Sequence, residues 1–316
     1  MATQINIRSD YFTRTNLDGI EQKLFFTIYL PEKEDAKATL IMLHGMQEHS
    51  GRYKEVASYF AERGFAVLTY DHIGHGKTAS KPEDHGYFSR TNGVKQLVLD
   101  AGLMTGILHK KYPDKPHFIL GHSMGSFITR ALLQESSKKF KAAVIVGTGG
   151  KIPGIGLLKY YLGFKNLITP HQISKFVNSV FSKMNNSHFK NEENATETSW
   201  LSLSKENQEA FLADSLNGIP FTNNGFYTLV SVNQRATKKY WAQNIEKSFP
   251  MLFVSGADCP IGNFSKGIYQ TTSDLKNQGF ANISVEIYPK LRHEILNETL
   301  REEVYQTIYL WMMEWL

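Results

Sequence analysis

The sequence predicts an α/β protein: a mostly parallel central sheet with helices on both faces, interrupted by one mostly helical insertion. Three observations carry this reading. Apolar runs of strand length alternate with helically periodic segments from residue 38 to about 150, and again from about 236 to the end; such alternation builds βα units around a parallel sheet. The rhythm is absent from residues 151–235. Finally, residues 117–133, HFILGHSMGSFITRALL, join a short apolar run to a helix through Gly121-His122-Ser123-Met124-Gly125. A G-x-S-x-G turn between strand and helix is a nucleophile elbow, in which a strained backbone lifts a serine hydroxyl above the sheet edge.

The elements follow in order. Residues 5–13 and 23–30 form an N-terminal hairpin, with Asn16-Leu17-Asp18-Gly19 supplying the turn. ATLIMLHG (38–45) is a continuous apolar run, as expected of a strand buried on both faces. Residues 52–64 are helical and end at Gly64, a C-terminal cap. FAVLTYD (65–71) is a second buried strand, followed by a glycine-rich turn from His72 to Gly76. Residues 92–113 form a long helix stopped by Pro113. After the elbow comes the strand KAAVIVGTGG (141–150). The insertion holds helical pieces, LLKYYLGFKNLI and ISKFVNSVFSKM, beside polar loops. The βα rhythm resumes with a helix near 237–247, the strand PMLFVSG (250–256), a helix, the strand ISVEIYP (283–289) and a C-terminal helix from about Glu298. The expected organisation is therefore a core of residues 1–150 and 236–316, with a cap of residues 151–235 inserted after the sixth strand.

Composition narrows the function. A net charge of +5 is scattered, and no basic run with interleaved aromatics points to nucleic acid. A mildly basic surface favours anionic lipid head groups only weakly. The single cysteine, Cys259, excludes an internal disulfide and fits a reducing compartment. MATQINIRSDYF has no apolar core of signal-peptide length, and no apolar stretch reaches membrane-spanning length. The expectation is a soluble, cytoplasmic protein; its oligomeric state is not legible.

A serine hydroxyl is a poor nucleophile at neutral pH and needs a histidine base, itself oriented by a carboxylate. On an elbow scaffold the chain order is Ser, Asp or Glu, His. SGADCP sets Asp258 just after the strand 250–256, and YPKLRHEILNE sets His293 in the loop after the strand 283–289. The gap of 135 residues from Ser123 to Asp258 holds the insertion, and the 35 residues to His293 fit one helix and one strand. The expected catalytic residues are Ser123, Asp258 and His293. An oxyanion hole needs two backbone N–H donors: Met124 follows the nucleophile, and Met46 lies in His44-Gly45-Met46-Gln47, after an earlier core strand.

HGMQEHSGRY, YDHIGHGKT, GHSMGS, SGADCPIG and RHEILNE occur in this order. Together they make the sequence resemble the monoacylglycerol lipase and lysophospholipase branch of the α/β-hydrolases, also described as serine aminopeptidase S33-like. The likeness covers residues 5–150 and 236–316 and is weak in the insertion, which corresponds to a cap over the active site. It implies an α/β-hydrolase fold and a serine esterase without metal or cofactor, with the triad and oxyanion donors named above. Cys259 departs from the pattern, since an aspartate or other polar residue is more usual beside the acid.

His44, His49, His72 and His75 sit on two strand-end loops without tight ligand spacing, so they are read as structural. Asp71 reads as a turn stabiliser, His122 as a residue that orients the elbow, and Cys259 as a shielded thiol near the site. The insertion is rich in aromatics, including Tyr160, Phe164, Phe181, Trp200, Phe211 and Phe226. Part of these form its own core and part could line an acyl-chain pocket, while LLKYYLGFKNLI could rest on a membrane surface. The expected substrate is an ester of a single-chain lipid, monoacylglycerol or lysophospholipid. The alternatives are a short- to medium-chain carboxylesterase, a peptidase and a non-catalytic binding protein. An aminopeptidase on this fold would need a Gly-Gly-Pro-type oxyanion loop, and this loop is His-Gly-Met-Gln.

Overall fold

The computed structural model describes residues 4–33 and 35–316. Eight strands form one sheet in the order β1-β2-β4-β3-β5-β6-β7-β8. β1 (Ile5–Thr15) and β2 (Glu21–Pro31) make the antiparallel hairpin, and β2 also runs antiparallel to β4 (Phe65–Tyr70). β3 (Ala38–Leu43), β4, β5 (His117–His122), β6 (Ala142–Val146), β7 (Met251–Gly256) and β8 (Ile283–Tyr288) are mutually parallel. β3, β4, β6 and β7 are buried along their whole length, which is why they read as unbroken apolar runs. Parallel pairing brings the carboxyl ends of β3, β5, β7 and β8 to one edge of the sheet, where α/β proteins build their sites.

Helices cover both faces. One face packs under α1 (Lys54–Glu62) and α9 (Arg301–Met313), through residues such as Phe60, Phe118, Val144 and Tyr305. The other packs under α2 (Gly93–Lys111) and α3 (Met124–Ser136), through Leu97, Met104, Ile128 and Phe253. α1 ends at Gly64 (φ 88°), and α2 begins at Asn92, whose side chain accepts from Lys95 N at 3.0 Å. The hairpin is fastened to α2 by Arg14, which donates two bonds to the buried Asp100 at 2.7 and 2.6 Å.

Between β6 and β7 the described residues form α4 (Ile155–Ile168), α5 (Lys175–Asn186), α6 (Lys205–Ala213) and α7 (Asn223–Thr237), joined by loops and one isolated bridge, Ile173 to Thr222. The helix expected near 237–247 is not there. α7 starts at Asn223, where the Thr222 hydroxyl accepts from Gly225 N at 3.0 Å, and ends before Lys238 turns to extended backbone (ψ 149°). Phe226 and Val230 then fall on one buried face, while residues 238–249 make successive turns. α8 (Lys266–Asn277) lies between β7 and β8.

Candidate active site

Ser123 sits between β5 and α3 with φ 53° and ψ −120°, a backbone conformation that L-residues rarely adopt. The crossing there has no room for side chains. A Cβ on Gly121 would stand 2.3 Å from Gly125 O, and one on Gly125 2.1 Å from Leu43 O. Ser123 N donates to Val146 O at 3.0 Å, which ties the elbow to the end of β6. The hydroxyl is then delivered to His293, whose Nε2 lies 2.8 Å from Ser123 Oγ.

His293 occupies the loop after β8 and is 2% exposed. Burial first, and then the neighbouring His122, push its imidazole well below the ordinary histidine value, with Glu48 opposing. The ring is therefore neutral. The residue on its far side is not the one the sequence favoured. His293 Nδ1 lies 3.1 Å from Cys259 Sγ. Asp258 donates its backbone N–H to Leu291 O at 3.0 Å, and among the described residues no hydrogen bond joins its carboxylate to His293. The chain turns directly after β7, with Cys259 N donating to Gly256 O at 3.3 Å, and this turn points Cys259 inward, fully buried, while Asp258 is half-buried.

The loop after β3 is braced from below. Glu48 accepts from Gly45 N at 2.5 Å, Arg52 Nη1 at 2.9 Å and the Tyr53 hydroxyl at 2.9 Å, and lies 3.2 Å from His122 Nδ1. Burial alone would raise its carboxyl, but His122 and the Arg52 guanidinium hold it well below the usual carboxylate range. His122 in turn donates Nε2–H to the His293 carbonyl at 3.1 Å and packs its ring 4.7 Å from that of His293. Glu48, Arg52 and Tyr53 lie within the HGMQEHSGRY stretch, but nothing in their spacing signalled this network. Gln47 takes a left-handed φ of 59°. Met46 lines the same cavity as Ser123 and His293, and Met124, the first residue of α3, has an N–H without a helical partner.

His44, His72 and His75 do come together, with ring centroids 4.1 Å (His44–His72) and 5.2 Å (His44–His75) apart. Most of their nitrogens serve the backbone: His44 Nδ1–H donates to Gly45 O at 2.8 Å, His44 Nε2 accepts from His72 N at 3.0 Å, and His72 Nε2–H donates to His44 O at 3.1 Å, while His72 Nδ1 is buried without a partner. Burial lowers His44 to about 4 and His75 to about 3. Asp71 accepts from Ser50 N and Lys77 N at 2.8 and 2.7 Å. Among the described residues no group of three or more His, Cys, Asp or Glu side chains could hold a metal ion.

Above the serine, Phe181 of α5, Trp200, Leu201 and Phe211 of α6 close a cavity of about 30 Å³. The Trp200 ring stacks on His293 at 5.0 Å. The segment carrying it is bonded to the histidine loop: Glu294 N donates to Leu201 O at 2.7 Å, Arg292 Nη1 to Ser199 O at 2.5 Å, and Leu203 N to Glu298 Oε1 at 2.6 Å. Only a three-dimensional structure could reveal these pairings, since the partners lie about 90 residues apart.

A family model described as "Serine aminopeptidase, S33" matches residues 34–300. The chain belongs to that family. The chain has an α/β-hydrolase fold, which its structural relatives share. A carboxyl esterase from Bacillus coagulans, solved in complex with glycerol, superposes with a TM-score of 0.87 at 26% identity, covering 97% of this chain and 98% of that one. Among curated proteins, this S33 member is 33% identical over 131 residues to a monoglyceride lipase of Mus musculus, covering 42% of the chain and 40% of the relative. It is 30% identical over 125 residues to a monoacylglycerol lipase of Mycolicibacterium smegmatis, covering 40% and 42%. The matches thus span less than half the length of these curated relatives. No helix among the described residues is long and apolar enough to cross a membrane.

Proposed function

We propose that the chain is a serine esterase that hydrolyses carboxylic esters of single-chain lipids, monoacylglycerol or lysophospholipid, through an acyl-enzyme. The observation that carries this reading is the 2.8 Å contact of Ser123 Oγ with His293 Nε2 under an aromatic roof. Ser123 Oγ attacks the ester carbonyl carbon as its proton passes to His293 Nε2. The oxyanion accepts hydrogen bonds from the N–H groups of Met46 and Met124. When the tetrahedral species collapses, the C–O bond to the alcohol breaks and the alcohol leaves with the proton from His293. Water then repeats the sequence on the acyl-enzyme and frees the fatty acid and Ser123.

Residues 151–235 act as the cap that selects the acyl chain. Their outer face supports a lipid substrate. On α4, Leu157, Tyr160, Phe164 and Leu167 are 60–84% exposed, and Phe176 of α5 is 70% exposed. The stretch 151–190 carries six lysines and no acidic residue. Apolar side chains ringed by lysines suit peripheral contact with an anionic membrane surface. The B. coagulans enzyme, a carboxyl esterase, favours a second reading of the same site as a short- to medium-chain carboxylesterase.

A chain-length series of nitrophenyl esters separates the two, with Ser123→Ala as control. The lipid reading expects kcat/KM to rise from acetate to medium chains, by up to nearly fourfold per CH2 at about 0.8 kcal/mol each, and monoacylglycerols to be cleaved far faster than triacylglycerols. Ser123→Ala should abolish labelling by a fluorophosphonate and reduce turnover by roughly 10³ to 10⁶. A preference for acetate selects the carboxylesterase; labelling that survives in Ser123→Ala means another serine reacts.

A further inference from the structure

The third position of the site holds a thiol. We propose that Cys259, not Asp258, is the residue that orients His293, and that its thiol, standing where this chemistry calls for a carboxylate, attenuates the hydrolase. The inference rests on the esterase reading of Ser123 and His293.

Three observations converge on Cys259. Its Sγ lies 3.1 Å from His293 Nδ1, on the side of the ring opposite Ser123. The backbone is built to deliver that residue. β7 ends at Gly256, so close to the histidine loop that a Cβ there would stand 2.1 Å from Leu291 O and 2.3 Å from Arg292 O. Three residues on, Cys259 meets the imidazole. Finally, the Gly262 and Ile261 N–H groups and the Ser255 side chain favour a charged sulfur against its burial. Donors of this kind and an imidazole beside one buried atom suit an acceptor-only anion. An aspartate at this position could accept such hydrogens.

A thiol behaves differently. Burial pushes Cys259 up to about 11 against the pull of the Gly262 and Ile261 N–H groups, so it keeps its proton at neutral pH. The S–H has an acceptor within reach in His293 Nδ1. If Nδ1 accepts that hydrogen, the neutral ring carries its own proton on Nε2, where it would donate to Ser123 Oγ. That tautomer cannot take the serine's proton. A carboxylate imposes the opposite tautomer, with Nδ1–H donating and Nε2 free, and stabilises the imidazolium that forms during attack. The thiol does neither. Cys259 is thus a positioning residue that leaves a Ser123–His293 pair working without a counter-charge.

The test measures kcat, its pH profile and fluorophosphonate labelling of Ser123, located by peptide mass, in the wild type, Cys259→Asp and Asp258→Asn. Cys259→Asp should raise kcat by about 10² to 10⁴, the scale lost when a triad aspartate is replaced by its amide in a serine protease. It should also move the acid limb to higher pH, because a carboxylate beside the ring favours imidazolium. A merely structural role for Cys259 would not move that limb. Asp258→Asn should keep kcat within about twofold, as a carboxylate without contact to the base predicts. A loss of 100-fold or more in Asp258→Asn overturns the proposal, and this outcome decides even if Cys259→Asp fails to fold. Folded Cys259→Asp that labels at Ser123 with unchanged kcat overturns the role of the thiol alone. Failure of both the wild type and folded Cys259→Asp to label at Ser123 removes the esterase reading as well.

Discussion

Substitution of Phe181 by alanine should speed reaction at Ser123. The cavity beside the serine encloses about 30 Å³, room on the order of one water molecule, whereas pockets for small organic ligands run to about 300–1,000 Å³. Reaction therefore requires a wall to move. Trp200 and Leu201 belong to the segment bonded to the histidine loop through Ser199 O, Leu201 O and Leu203 N. Phe181 arrives instead from α5, whose polar tie to the oxyanion loop is the 3.3 Å bond from Gln47 Nε2 to Asn178 Oδ1. Its ring meets Trp200 edge-on at 5.8 Å and 88°, and Phe226 at 6.3 Å and 56°. Each such pair contributes about 0.5–1.5 kcal/mol beyond buried area. Removing both weakens the closed arrangement by about 1–3 kcal/mol, which shifts a closed–open equilibrium by roughly 5- to 150-fold. While the open form is scarce, reaction of Ser123 scales with its population. The assay is the second-order rate constant for inactivation by a small fluorophosphonate, which needs little of the acyl pocket, measured beside Tm. Acceleration within that range is expected. An unchanged or slower rate in a folded variant would show that α5 is not the gate.

Two further outcomes follow from the site. Met46→Ala should be tolerated, because the proposed oxyanion donor is the backbone N–H, while Met46→Pro removes that donor and should slow turnover by about 10² or more; equal rates in the two variants would refute the assignment. The buried histidines should make the fold acid-sensitive. His44, lowered to about 4, and His75, lowered to about 3, stay neutral in the folded state where the unfolded chain binds protons. Their stability contribution is complete above the unfolded value of about 6.5 and is lost as pH falls toward the folded values, at roughly 1.4 kcal/mol per pH unit for each. The urea midpoint should fall between pH 7 and pH 5, and a flat midpoint would mean these rings charge without unfolding.

The parts of the molecule governed by local pattern were legible. Strands buried on both faces must be apolar throughout, so β3, β4, β6 and β7 stand out at their true positions. The elbow is legible because its glycines answer a backbone clash, and Ser123 follows from them. His293 follows from chain order and lies within hydrogen-bond reach of Ser123. Other features depend on contacts between distant segments. The brace that Glu48 makes to Gly45, Arg52, Tyr53 and His122 has no period, and the docking of Leu201 and Leu203 on the histidine loop joins residues about 90 apart. α7 is hard to place from sequence for a local reason: Thr222 is an ordinary N-cap signal, yet it falls inside GIPFTNNGFYTLVS, whose glycines, proline and asparagines read as loop.

The third position of the site shows what residue type alone cannot decide. Asp258 and Cys259 are adjacent, and a carboxylate in the right place along the chain is the natural choice for an acid. The chain turns after β7, however, and in that turn Cys259, not Asp258, meets the imidazole. The close packing of Gly256 on Leu291 and Arg292 fixes where the turn begins, because any other residue there would drive β7 away from the loop that carries His293. Counting from that glycine rather than from the nearest carboxylate leads to Cys259. The residue that meets His293 is thus set by a packing constraint two strands away from Ser123, since β7 is separated from β5 by β6. The Ser123–His293 pair meets the side chain of Cys259 because the backbone selects the position and leaves the residue type free to vary.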